Sequence, residues 1–583
     1  MSRDTISRDK QWYELPRPAA MAKLVEIRNE LRAKNLYDTE EPKLAEQQGP
    51  VAEELKATRT VDGSYNDLKC PMMGATGRRF GRNVPLTEAM PDTANLLNPN
   101  PREISNALFT RTKFQPATIL NILAAAWIQF QTHDWFVHAK GTNDNTHNLP
   151  LADDDPWFER PMRIPKTPVD PPTVANSNRP PAYVNNNSHW WDGSNIYGST
   201  KAEQEILRTG KDGKVKVQDD GRLFFDETAG TDITGSRDNL WVGLTLLHGL
   251  FAREHNAVCD MLRAEHPDWN DERMFEQARL IVSALMAKIH TIEWTPAILP
   301  HPLLVLALNT NWHGLLPGLQ KVFGNLADND LVSGIPGSPT DHHSAPYSLT
   351  EEFASVYRMH SLLPDEYEIR SVKDNSLLQS CELPEMAGRA GRKIIEKHDC
   401  ADLFYSLGIA YPGALRLHNF PKHLQNLHKD TTGERFDLAA VDILRDRERG
   451  VPRYNQFRRL FHKPSVKTFD ELCDNKEWAE EIKRAYGGDI EKVDLLVGLM
   501  AEPLPEGMGF SDTAFRVFIL MASRRLKSDR FLSAEYGPAR YTQAGIEWIE
   551  NNSMLDVIKR HVPDVKPALD GITNAFHPWH RVR

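Results

Sequence analysis

Long segments of helical period, broken by clusters of proline, decide what this chain can fold into. Apolar residues recur at three- and four-residue steps over Thr118–His133, Leu240–Arg263, Asp271–Trp294, Leu349–Ser361, Val493–Ala501 and Asp512–Ser528, the spacing that lines one side of an α-helix. Alternation of strand type is scarce. The clearest case, "KVKVQDDGRLFF", reads as a small hairpin turning at Asp219, Asp220 and Gly221. Prolines in "NPNPRE", "PMRIPKTPVDPPTVANSNRPPAY" and "SGIPGSPTDHHSAP" lack the amide donor a helix interior needs, so they force irregular connections. Helical segments on both sides of these connections carry candidate chemistry, which favours one large body with embedded loops over a string of domains. The expected class is mainly α, with a minor β hairpin.

Charge and cysteine usage exclude several functions. A net charge of −10 argues against a nucleic-acid partner, because neutralising phosphate takes clustered Lys and Arg. Cys70, Cys259, Cys381, Cys400 and Cys473 stand far apart with no CxxC pair, and read as free thiols rather than as a zinc or redox site. The N-terminal "MSRDTISRDKQWYELP" has no apolar core of a signal peptide. No apolar run reaches the roughly 18–20 residues of a membrane span. A cytoplasmic protein is expected. The segment "MAKLVEIRNELRAKN" sets Met21, Leu24, Val25 and Leu31 on one side; it packs on its own protein or, alternatively, touches a membrane surface as a peripheral contact. No pattern specifies an oligomeric state.

Three segments hold informative polar residues. "WIQFQTHDWF" places Gln129 and His133 one turn apart on an otherwise apolar helix, with Asp134 next in the chain. In "NNNSHWWDGSNIYGST", Ser188, Asp192 and Ser194 offer hard oxygen atoms at short spacing, as a calcium site does, although a turn rich in Ser, Asn and Asp has the same composition. "YRMHSLLP" sets Tyr357 and His360 on one helical face. There a neutral imidazole can hold haem iron and a tyrosine one turn away can be oxidised. On the residues alone, both read equally as core.

Taken in order, these segments resemble the haem peroxidase and cyclooxygenase superfamily from about Arg79 to Pro563. "LFAREHNAVCDMLRAEHPDWNDERMFEQARLI" is similar to its long helix, and "DILRDRERGVPRYNQFRR" to the segment whose asparagine, here Asn455, hydrogen-bonds the iron-binding histidine. Within the superfamily, "THDW", "HTIEWT", "YRMHSLLPDEY" and "RRLKSDRF" resemble the fatty-acid α-dioxygenases. The resemblance implies a single-body haem peroxidase-like domain over residues 79–583, with residues 1–78 as an N-terminal extension packed on it. It further implies His360 as the proximal iron ligand, His133 with Gln129 on the distal side, and Tyr357 as the radical-forming residue. Calcium falls to Asp134, Ser188, the Trp190 carbonyl, Asp192 and Ser194. A fatty-acid carboxylate falls to His290, Thr295 and Arg525, with Arg524 as the competing arginine.

The implied reaction is oxygenation of a fatty acid at the α-carbon with molecular oxygen and a peroxide activator, giving a 2-hydroperoxy fatty acid. Mammalian peroxidases of the superfamily carry acidic residues that bond haem covalently where this chain has Thr132 and Leu240, so non-covalent haem b is expected. Arg237 stands where those peroxidases place a distal arginine. That keeps a second reading open, a haem peroxidase oxidising small reductants or halides with hydrogen peroxide.

Overall fold

The computed structural model describes residues 10–171, 178–238, 240–315, 334–428 and 433–583; parts of two proline-rich connections and the first nine residues lie outside them. Proline in its first turn opens α1 (Arg17–Lys34), and buried Ala20, Leu24, Ile27 and Leu31 form its stripe. The Asn121 side chain accepts from the Ala124 N–H and so starts α2 (Ile122–Trp135) four residues after the expected Thr118; the helix is buried on nearly all sides, as suits the centre of a large body. There follow α3 (Val242–Glu265) and α4 (Asp271–Ile289). The latter runs on through a π turn, His290–Trp294, and one α turn, Thr295–Ile298. The remaining helices used here are α5 (Pro302–His313), α6 (Glu351–Val356), α7 (Leu438–Glu448) and α8 (Asp512–Ser528).

α2 packs on α3, α3 on α4, α6 on α8, and α1 on both α5 and α8. One apolar cluster runs from Trp12 and Leu24 to Phe576 and Trp579. Leu24, Ile27 and Leu31 of α1 belong to it, each worth about 1.5–3 kcal/mol by burial, so much of the apolar side of this amphipathic helix is spent inside the molecule. Among the described residues, no helix is long and apolar enough to cross a membrane. Sheet among the described residues is confined to two-stranded pieces. The longest pairs β1 (Glu366–Arg370) with β2 (Leu377–Glu382), antiparallel, with Glu366 opposite Glu382 and a bulge at Ile369/Arg370.

Two expectations need correction. The hairpin at Lys214–Phe225 forms only its turn, with Gln218 N–H bonded to the Arg222 carbonyl at 2.8 Å. The strands do not pair, because the Asn256 side chain of α3 takes both backbone groups of Val215, at 2.9 and 3.0 Å, while Phe225–Asp226 pairs instead with Thr231–Asp232. The helix expected over Leu349–Ser361 breaks at Val356. Tyr357 takes φ −89°, ψ 10° and Met359 φ −102°, ψ 32°, values of the bridge region, and His360 opens a 3-10 turn. The residues after the break are pulled to α7: Arg358 bonds Asp446 at 3.1 Å and His360 bonds Asp442 at 2.8 Å.

Candidate active site

That break brings Tyr357 and His360 to the wall of one cleft of about 130 Å³, opposite Gln129 and His133 of α2. Thr132 also lines it, and the remaining wall, Ala125, Ile128, Met359, Leu362 and Leu363, is apolar. His133 Nδ1 is enclosed by protein with no partner, which leaves Nε2 as the nitrogen turned to the cleft. Burial lowers the His133 pKa to about 4, so the ring is neutral at physiological pH and can accept a proton. Gln129 is held in place by the Trp241 indole N–H, which donates to its Oε1 at 3.0 Å. Burial pushes the Tyr357 hydroxyl well above its ordinary pKa, so it stays a phenol. Its ring packs on Phe518 and Phe353, each at 4.7 Å, and against the edge-on indole of Trp135 at 5.1 Å.

The partner of His360 is not Asn455. Both halves of the Asn455 amide are spent elsewhere: Nδ2 donates to Val466 O and Glu491 Oε1, at 2.9 and 3.0 Å, and Oδ1 accepts from Val466 N–H at 3.0 Å. His360 Nδ1 instead meets Asp442 Oδ2 at 2.8 Å. A carboxylate only accepts, so Nδ1 carries the proton and Nε2 presents its lone pair. Asp442 opens the very segment from which Asn455 was chosen, but nothing in the spacing says which of its polar residues reaches the histidine. Such a partner fixes the ring and raises its basicity. Asp442→Ala is expected to weaken haem affinity about 10–100-fold, read by haem titration, whereas Asn455→Ala lowers the thermal midpoint and leaves that affinity unchanged. Equal affinity loss in both variants would contradict this assignment.

Arg525, projecting from α8, is 1% exposed, yet its Nε and Nη2 have no hydrogen-bond partner. The guanidinium lies 4.1 Å from the ring centres of both Trp135 and Trp191, in the corner made by two indoles set at 81°. His290 packs on the same two indoles, at 5.0 and 5.6 Å. The Trp127 N–H donates to His290 Nδ1 at 3.3 Å; since an indole can only donate, neutral His290 carries its own proton on Nε2. Burial and then Arg525 hold the His290 pKa well below its ordinary value. The Thr295 hydroxyl donates to the His290 carbonyl at 2.8 Å, so it serves a carboxylate only after turning. Arg524 is otherwise engaged: its Nη2 donates to Ala345 O and Pro346 O, each at 2.8 Å. Thr295 also lines an apolar groove of about 210 Å³ between α1, α5 and α8, walled by Met21, Val25, Leu299, Leu304 and Phe515.

The oxygen-rich loop sits behind α2. Asp134, Ser188, Trp190, Asp192 and Ser194 are all buried. Asp134 Oδ1 accepts from Ser194 N–H at 2.5 Å, while Asp134 Oδ2, Asp192 Oδ2 and Ser194 Oγ have no partner. Burial, then the neighbouring Asp192, raises the Asp134 pKa to about 7. Two residues not singled out in the sequence complete the loop. Arg59 Nη1 donates to Asp192 Oδ1 at 3.0 Å. Gly63, at φ +76°, is backed so closely on the loop that a Cβ there would lie 2.5 Å from Ser188 Oγ. Arg237, the expected distal arginine, is taken by Asp226 at 3.4 Å and is not among the cleft's lining residues.

Residues 58–571 match the family model described as animal haem peroxidase, and the chain belongs to that family. Its relatives narrow the family to one branch. The chain is 39% identical to Alpha-dioxygenase PIOX of Oryza sativa subsp. japonica, over 89% of this chain and 86% of the relative. It superimposes on the crystal structure of Oryza sativa fatty acid alpha-dioxygenase with a TM-score of 0.91 at 35% identity, covering 98% of this chain and 95% of that one. A variant of the rice protein with palmitic acid gives 0.90 at 35% identity and the same coverage. Haem, the cofactor this family implies, suits the cleft: His360, with Nδ1 bonded to Asp442, presents Nε2 as a ligand, and Ala125, Ile128, Met359, Leu362 and Leu363 offer apolar wall.

Proposed function

We propose that the protein oxygenates fatty acids at the α-carbon, giving 2-hydroperoxy fatty acids. One observation carries this reading: a buried guanidinium with unmade hydrogen bonds is held a single indole away from Tyr357. A carboxylate on Arg525, supported by His290 Nε2–H, sets the adjacent carbon, rather than one further along the chain, against the phenol. The apolar groove beyond Thr295 takes the acyl tail. The names of the relatives support the same substrate class. His360 would hold the haem in this cleft, with His133 also on its wall, and the group would supply, with a peroxide, the one-electron oxidising equivalent.

Neutral His133 takes and returns the peroxide proton at Nε2. Tyr357, once oxidised, receives a hydrogen atom from the α-carbon; molecular oxygen adds to that carbon, and the peroxyl product takes the hydrogen back. Thr132 and Leu240 offer no carboxylate for an ester link, so the haem is held without a covalent bond. The test is oxygen uptake with palmitic acid followed by product identification. A 2-hydroperoxide or the aldehyde one carbon shorter supports the reading, whereas inert saturated acids and a mid-chain hydroperoxide from a polyunsaturated acid would sink it.

The loop behind α2 holds calcium in this reading, through Asp134, Asp192, Ser188, Ser194 and the Trp190 carbonyl. Its unpartnered oxygens support the assignment, and hard oxygen donors suit the ion. Without the ion, the folded-state Asp134 pKa of about 7 lies above the ordinary aspartate value of 3.8. Folding is then penalised progressively as pH rises from about 4 through 7, where this carboxyl must ionise. The thermal midpoint of chelator-treated protein is expected to fall more steeply between pH 4 and 7 than that of calcium-loaded protein. Parallel curves would count against a cation at Asp134.

A further inference from the structure

Carboxylate binding alone does not require Arg525 to sit where it does. Trp135 touches Arg525 on its face, at 4.1 Å, and Tyr357 with its edge plane, at 5.1 Å between ring centres. Trp191 continues the contact 5.2 Å beyond. Indole and phenol lie close in oxidising power, with the phenoxyl radical slightly the more stable in water, so an indole in contact with an oxidised tyrosine can give up an electron to it only where its surroundings favour the indole radical. The transfer would be Trp135–H + Tyr357–O• → Trp135• + Tyr357–OH, one electron and one proton passing from indole to phenoxyl. It would drain the oxidising equivalent away from the α-carbon.

Two features oppose that step. Loss of an electron gives an indole radical cation, which becomes stable by shedding its Nε1 proton, yet Nε1 of both Trp135 and Trp191 is buried with no acceptor. The guanidinium, attracted to the face of a neutral indole, repels the same ring once it is positive, and at this separation in a poorly screened interior the repulsion is strong. We propose that Arg525 is a radical guard as well as a carboxylate ligand: its charge keeps Trp135 and Trp191 from being oxidised, so the unpaired electron stays on Tyr357. This rests on the reading of Tyr357 as the radical site. The guard matters most before the fatty acid arrives, when Tyr357 has no α-hydrogen to take and Arg525 has no carboxylate to neutralise it.

The experiment is freeze-quench electron paramagnetic resonance on the haem-loaded protein mixed with hydrogen peroxide in the absence of fatty acid, with tryptophan rings deuterated. The wild-type signal is expected to be tyrosyl and insensitive to the deuteration. Arg525→Met, with its Soret band retained, is expected to lose the tyrosyl signal about tenfold faster and to show a deuterium-sensitive tryptophanyl signal. Adding Trp135→Phe to that variant restores the tyrosyl signal, and Arg525→Lys, which keeps the cation, retains it. A second measurement needs no variant. A 2,2-difluorinated long-chain acid neutralises Arg525 without offering an α-hydrogen, and is expected to move the wild-type signal toward tryptophan. Unchanged tyrosyl yield and lifetime in both Arg525→Met and the difluoro-acid complex overturn the guard. A wild-type tyrosyl signal that persists in Tyr357→Phe overturns the assignment of the radical to Tyr357 instead.

Discussion

Tyr357→Phe is expected to lower fatty-acid-dependent oxygen uptake by at least about 10³-fold, equivalent to about 4 kcal/mol of barrier. The substitution removes one oxygen atom and leaves the ring that packs on Phe518, Phe353 and Trp135. Stability should therefore change by less than about 1 kcal/mol, and the Soret band should be unmoved. Turnover of hydrogen peroxide with a small reductant, which needs His133 and His360 but no phenol at position 357, should stay within about twofold. The pair of measurements separates the oxygenase from the peroxidase reading. Surviving oxygen uptake would show that some other group takes the hydrogen atom, whereas a parallel loss of both activities would place Tyr357 in the peroxide step itself.

Arg525→Gln should raise KM for a long-chain acid by about 30-fold to a few thousand-fold, the equivalent of about 2–5 kcal/mol for removing one partner of a buried charged pair. The two nitrogens of Arg525 without a partner among the described residues are the reason for so large an effect: in the proposed reading the substrate carboxylate is their partner, and glutamine offers it no charge. Oxygenation of the remaining turnover should also spread beyond the α-carbon, because the head group no longer fixes which carbon faces Tyr357. Arg524→Gln is the control. It strips donors from the carbonyl groups of Ala345 and Pro346, so the thermal midpoint should fall while KM stays near wild type. If Arg524→Gln raises KM and Arg525→Gln does not, the two arginines have exchanged roles.

Periodicity located the long buried helices because their apolar spacing and the burial of the folded chain report the same thing. α2, α4 and α8 lie where the pattern placed them, and the structure adds mainly their caps, as at Asn121. Contacts between distant segments were not written in the local pattern. The stretch Leu349–Ser361 is helical by spacing, but Asp442 and Asp446 of α7 pull His360 and Arg358 out of the helix. The Lys214–Phe225 alternation is genuine, but Asn256 takes the backbone groups a strand partner needs. The site shows the same division. His133, Gln129, Tyr357 and His360 line one cleft and Arg525 lies beside His290, as the motifs implied. Asn455, by contrast, gave way to Asp442, and of the two arginines Arg525, which the resemblance favoured, is the one with unused donors, while Arg524 spends its own on Ala345 and Pro346.

The π turn at His290–Trp294 bears on how this chain can vary in length. Such a turn is a regular helix with one residue too many, and here the surplus residue lies between His290 and Thr295. Removing any one residue between Thr291 and Trp294 would restore an unbroken α ladder. Because the π turn takes up its extra residue within the turn, the helix beyond would keep its phase, and the Thr295 N–H that now bonds the His290 carbonyl across five residues would bond it across four. A one-residue deletion here should therefore yield a folded protein in which Thr295 keeps its place and the loss is confined to the packing of the turn itself, such as the stacking of Trp294 on His290 at 4.9 Å.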